Sequence, residues 1–123
     1  MLHASLVVDR LVVGGRELAV DHATVVVVAR AESAELDWEV VAHTSQVEPL
    51  ARGTHQLRLS CVDTEDGEVD DRGEASDLDE VRLVRLVARD LQGPAFLVRA
   101  VERAVVFRGT GPLDGFDLGR LRG

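Results

Sequence analysis

The chain has 123 residues, 46% of them hydrophobic and 29% charged, which is typical of one globular domain and leaves little room for two. Its formal net charge of −8 argues against a nucleic-acid scaffold, because phosphate binding needs a net basic face. No apolar run approaches the roughly 18 residues of a membrane helix, so we expect a cytoplasmic protein with a single domain over 1–123 and no membrane contact.

The apolar residues come mainly from two types, with 21 valines and 16 leucines but no isoleucine or tyrosine. Valine is stiff at χ1 and favours strands. Lysine and asparagine are absent as well, and these four missing types share AT-rich codons, so the composition indicates a GC-rich bacterial source. We therefore predict a mainly-β domain, a β-sandwich or small β-barrel of about seven or eight antiparallel strands.

The first 30 residues are typical of strands. The runs Leu6–Val8 and Leu11–Val13 lead into Gly14-Gly15, a dipeptide suited to the positive φ of a hairpin turn, and Glu17–Val20 then forms the returning strand. Four consecutive valines at Val25–Val28 predict a buried strand.

Two later segments alternate between apolar and polar residues. Leu36–His43 places Trp38 on an apolar face, and His55–Val62 places Cys61 on another. Each is expected to be a half-buried strand, and Ser45–Gly53 between them is expected to be a loop.

Acidic residues are concentrated between Asp63 and Glu80, a stretch with ten of them and only one arginine, which we predict to be an acidic loop. It does not fit an EF-hand, because Gly67 and Glu68 stand where that motif needs an acidic or amide ligand followed by glycine. Two weaker possibilities stay open. The loop is a weak candidate for a cation site through Asp63, Glu65, Asp66, Glu68, Asp70 and Asp71, or a docking surface for a basic partner through the same residues and Glu74.

Residues 77–91 are ambiguous between helix and strand. Ser76 and Asp79 form a capping box and Gly93-Pro94 follows as a stop, which predicts a helix. The β-branched Val81, Val84 and Val87 favour a strand instead. Beyond this segment, a hairpin is expected from Ala95–Ala100 and Ala104–Arg108, followed by a glycine-rich tail that packs Leu113 and Phe116.

No motif in the sequence identifies a catalytic residue, a cofactor or a metal. The four histidines are separated along the chain, so only the fold could assemble them into a ligand set. Cys61 alternates with leucines and is expected to be a core thiol, and no serine lies in a nucleophile-elbow context. The sequence therefore does not decide whether the protein is an enzyme, and it favours a protein that is not.

Two functions are compatible with these features. The first is a non-enzymatic β module that self-associates, most simply as a dimer, or binds a protein partner. The alternative is a small-molecule-binding β-barrel with a pocket near Trp38, with weak enzymatic activity at most.

Overall fold

The computed structural model describes residues 1–45, 49–66 and 84–123, without the side chains of 64–66 and 84–85. Within these residues the chain is mainly β, as predicted, and one short 3-10 helix covers Leu118–Arg120. The strands are β1 (Leu2–Val13), β2 (Arg16–Leu18), β3 (Val20–Ala29), β4 (Leu36–Thr44), β5 (Thr54–Asp66), β6 (Val84–Val101) and β7 (Ala104–Gly109).

Six of the strands close into an antiparallel barrel. Their order around the barrel is β1-β3-β4-β7-β6-β5, and β5 pairs back onto β1 through Val7↔Val62 to Val13↔Leu57. β2 is a seventh strand, which pairs with Val13 and its neighbours on the edge of β1 opposite β5. Of the two architectures expected from the sequence, the small barrel is the correct one, and closure removes most free strand edges.

The first hairpin turns where the sequence predicts it. Gly14 and Gly15 have φ values of +58° and +84°, a conformation that residues with a Cβ rarely adopt. Val13 then pairs with Arg16 directly across the turn. The two apolar runs before the turn form one strand, with a register shift between Val8 and Arg10.

The barrel interior is filled by alternate residues of every strand. Val25, Val27, Val40, Leu57 and Phe107 are fully buried. The predicted alternation of β4 and β5 is confirmed. The continuous valine run of β3 is different, because it is buried on one face only and Val26 stays 37% exposed. In a closed barrel the outer face of each strand meets solvent, so a run of four valines necessarily presents two of them outward.

The helix considered for residues 77–91 is wrong over its described part, because β6 begins at Val84 and pairs with β5 from Asp66↔Val84 to Thr54↔Phe96. Residues 77–83 lie outside the described residues. The expected stop at Gly93-Pro94 is also wrong, since both residues lie inside β6. Proline is tolerated there because Pro94 lies just before the β6–β7 ladder, which starts at Ala95, and its backbone takes part only as an acceptor, from the Thr110 N–H at 2.9 Å.

The last hairpin and the tail follow the prediction. β6 and β7 are joined at Glu102-Arg103, and Val101 pairs with Ala104. Leu113 is buried in the core, and Phe116 packs against it half-buried. The tail thereby closes one side of the barrel.

Candidate functional site

The described part of the barrel interior is filled mainly by apolar side chains and contains one buried thiol. Cys61 is only 1% exposed, which confirms the predicted core thiol. Burial, with a smaller contribution from the carboxylates of Asp63 and Asp90, raises the pKa of Cys61 to about 12. The thiol therefore stays protonated at neutral pH, whereas a nucleophilic cysteine needs a lowered pKa.

Trp38 is a core anchor, since it is only 2% exposed and its indole Nε1–H donates to the carbonyl of Gly111 at 2.8 Å. Glycines make room for the ring. A Cβ at Gly109 would overlap the indole and stand 2.6 Å from Cδ1, and one at Gly93 would stand 2.9 Å from Cζ2. Glycine at 109 thus serves close packing against Trp38, and not a positive φ.

A cleft of about 580 Å³ lies beside this anchor, on the outside of the barrel. Trp38 and Gly109 form part of its lining, and the cleft is a surface groove formed by β3, β4 and β7. The other residues that line it are Val26, Val28, Arg30, Asp37, Glu39 and Arg108.

Around this cleft the outer surface carries a set of neighbouring valines on β1, β3, β4 and β7. Thr24 connects them, because it pairs with Val7 on one side and with Val41 on the other, and Val41 pairs in turn with Val106. Exposure is 61% at Val7 and 45% at Val41. We call this set the outer valine face: Val7, Val26, Val28, Val41 and Val106.

On β6, the strand next to β7, the exposed Phe96 and Val98 extend the apolar surface, with Phe96 paired opposite Arg108. Single exposed apolar residues are ordinary, but a contiguous group on several neighbouring strands is typical of an interaction surface. The run Val25–Val28 is the signal for it in the sequence, although four consecutive valines predict a buried strand.

The charges that border the outer valine face are balanced. Arg30 Nε lies 2.6 Å from Asp37 Oδ2, and Arg108 Nη2 lies 3.6 Å from Glu39 Oε2. Arg99, which pairs with Val106, adds one more cation. Among the described charges that border this face, negative ones are therefore not in excess, although the whole chain carries −8.

Two of the four histidines meet at one end of the same face. His22 on β3 pairs with His43 on β4, and their rings stack with centroids 5.2 Å apart and planes inclined by 14°. Asp21 Oδ2 lies 3.8 Å from His43 Nδ1, and Asp21 Oδ1 accepts a hydrogen bond of 2.8 Å from the Ser45 hydroxyl. Sequence reasoning missed this group, because only the register between β3 and β4 creates it.

The acidic candidates are placed in part. Residues 63–66 belong to β5. The prediction that the acidic loop begins at residue 63 is therefore wrong. The side chain of Asp63 is buried, forms an ion pair with Arg120 and lies 3.5 Å from Arg89, which ties it to the C-terminal tail. The side chains of Glu65 and Asp66, and all of Glu68, Asp70, Asp71 and Glu74, lie outside the described residues.

Among the residues that the structure describes, no set of three or more histidine, cysteine, aspartate or glutamate side chains is arranged to hold a metal ion. The same residues contain no helix that is long and apolar enough to cross a membrane. In comparisons with known proteins, no family model, no curated protein and no solved structure matched this chain.

Proposed function

We propose that this chain is a non-enzymatic, cytoplasmic β module that associates with a second copy of itself through the outer valine face. The observation that carries the proposal is the contiguous set of outward-facing valines on neighbouring strands, of which Val7, Val26 and Val41 are exposed and the other two are half-buried. Water contact with these side chains is unfavourable, and covering them gains about 25 cal/mol per Å² of apolar surface.

A second copy fits this face better than a strongly charged partner does. In a two-fold symmetric contact, if residue i of one copy contacts residue j of the other, then residue j of the first copy also contacts residue i of the second. Glu39 and Arg108 lie side by side on neighbouring strands, so a partner rotated by 180° can present its Arg108 to Glu39 and its Glu39 to Arg108. The balanced border of the face is thus complementary to itself.

The described strand ends on either side of residues 67–83, which hold most of the acidic residues, support the same assignment. They are Asp66 at the end of β5 and Val84 at the start of β6. In the closed barrel β5 is the strand opposite β4, three strands away in either direction. Two copies that meet through β4 would therefore keep the strand end that precedes the acidic segment away from the contact, which reduces like-charge repulsion.

Sedimentation equilibrium of the purified chain, at low and high salt, tests the proposal. We expect a monomer–dimer equilibrium that persists at high salt, because apolar contacts are not screened by ions. The variants Val41→Arg and Val26→Arg should each shift it towards monomer, since an arginine would be desolvated in the contact.

A matched control is Leu86→Arg, which places the same side chain at a more exposed position on β6, opposite Thr64 of β5. This variant should leave the dimer intact. A strict monomer at high protein concentration would contradict the proposal. So would a dimer that Leu86→Arg and Val41→Arg weaken equally.

A second candidate function is the binding of a small amphiphilic molecule in the cleft of about 580 Å³ beside Trp38. Val26 and Val28 would contact its apolar part, and the guanidinium groups of Arg30 and Arg108 would contact a polar or anionic group. Binding of an amphiphilic probe distinguishes the two candidates. If the cleft is a ligand site, the monomer binds the probe and Arg108→Gln abolishes that binding. If the face is a dimer interface, the second copy occupies the cleft and excludes the probe.

A further inference from the structure

We propose that His22 and His43 form a two-nitrogen binding site for a divalent transition-metal ion that accepts imidazole, such as Zn²⁺ or Ni²⁺. The site lies at one end of the outer face of β3 and β4, and it goes beyond the proposed self-association because it does not depend on a second copy. Imidazole nitrogen is among the commonest protein ligands of these ions.

The backbone brings these groups to one surface through a bulge in β3. Val20 pairs with Thr44 and His22 with His43, so Asp21 is an extra residue without a partner on β4. A bulge redirects side chains that would otherwise alternate between the faces. Asp21 and His22 are consequently both exposed next to His43, whereas the regular residue Ala23 is buried.

The geometry of the ring pair suits one shared ion. The histidines are directly opposite on paired strands, and their nearly parallel rings have centroids 5.2 Å apart. A tetrahedral ion with bonds of about 2.1 Å holds two nitrogens about 3.4 Å apart, so the ring edges need only tilt towards each other. His22 is exposed and the His43 side chain is 44% exposed, which leaves room for both rings to make this rotation. Water would occupy the remaining coordination positions.

The carboxylate of Asp21, held by Ser45, is placed to orient the ring of His43. The Asp21 carboxylate lies 3.8 Å from Nδ1 of His43 and is itself held by the Ser45 hydroxyl. A carboxylate beside one ring nitrogen favours the proton on that nitrogen and leaves the lone pair of Nε2 for the metal. Arg103 donates a hydrogen bond of 3.4 Å to the carbonyl oxygen of Ser45, and the two histidine rings stack directly on each other.

Isothermal titration of the untagged chain with Zn²⁺, in buffer with excess Mg²⁺, tests the site. Mg²⁺ occupies carboxylate-only sites but binds imidazole poorly, so it suppresses binding to the acidic segment. We expect one zinc ion per chain, lost in His22→Gln and in His43→Gln, and bound about tenfold more weakly by Asp21→Asn because a positioning carboxylate is removed.

The matched control is His3→Gln with His55→Gln, which removes the other two histidines and should leave zinc binding unchanged. Thermal unfolding of each variant without metal checks that it is folded. The chemical shifts of the His22 and His43 ring protons should move on zinc addition, which identifies the ligands without any substitution. Undetectable zinc binding, or binding that survives both His22→Gln and His43→Gln, would overturn the proposal.

Discussion

Replacing Gly109 by alanine tests whether Trp38 anchors the barrel as described. The added Cβ would overlap the indole and stand 2.6 Å from Cδ1, in a core where the ring is only 2% exposed. Overpacking of this kind costs about 1–3 kcal/mol. Displacement of the ring also lengthens the 2.8 Å hydrogen bond from Nε1 to the Gly111 carbonyl, a loss of about 1 kcal/mol.

The sum, roughly 2–4 kcal/mol, is a large part of the roughly 5–15 kcal/mol that stabilises a typical domain. Trp38 is the only tryptophan of the chain, so its fluorescence follows unfolding in urea directly. With a slope of about 1.5 kcal/mol per M, the midpoint should fall by roughly 1–3 M. The emission maximum of the folded variant should also shift to longer wavelength as the ring gains contact with water.

Gly123→Ala is the matched control, because a Cβ there would meet nothing closer than a Leu2 methyl at 3.6 Å. It should leave both the midpoint and the emission unchanged. If Gly109→Ala behaved like this control, the close packing of glycine against Trp38 would be refuted.

Three further predictions concern other parts of the barrel. Asp63→Asn should destabilise the fold by roughly 3 kcal/mol in urea titrations at neutral pH, because it leaves Arg120 and Arg89 partly buried beside a neutral amide, whereas Asp90→Asn should cost far less. Glu102 has a φ of +56°, so Glu102→Gly should raise stability by about 0.5 kcal/mol and Glu102→Ala should not, as measured by thermal unfolding. The pKa of Cys61 is raised in the folded state from 9.0 to about 12, so its contribution to stability is full below pH 9 and is lost as the pH rises towards 12, a dependence that Cys61→Ala should lack.

Strands with a clear local pattern of apolar and polar residues could be predicted from the sequence. The alternation in Leu36–His43 and His55–Val62 is visible in the sequence because neighbouring side chains of a strand point to opposite faces. The hairpin at Gly14-Gly15 is visible because only glycine readily adopts positive φ at both turn positions.

Features that depend on distant partners are not visible in the same way. The capping pattern at Ser76 and the Gly93-Pro94 pair are local helix signals, yet from Val84 onward the long pairing with β5 determines the structure. At Gly93 the need for glycine comes from Trp38 and Pro112, which approach from other parts of the chain.

The candidate sites show the same limit. Trp38 could be predicted as a core residue on an alternating strand, but the cleft beside it is lined in part by Gly109, 71 positions later in the chain. The pairing of His22 with His43 requires the β3–β4 register and its bulge. The concentration of negative charge in the sequence predicts a candidate site in the acidic segment instead. There, Asp63 forms an ion pair with Arg120 in the barrel wall.

Chemical cross-linking at the centre of the outer valine face tests the proposed self-association most directly. Cys61 is buried with its pKa raised to about 12, so a cysteine introduced by Val41→Cys is the reactive thiol of the folded chain. We predict that a short bismaleimide links Val41→Cys chains into covalent dimers rapidly, and Leu86→Cys chains only slowly by collision. Equal, slow cross-linking of the two variants would contradict the account.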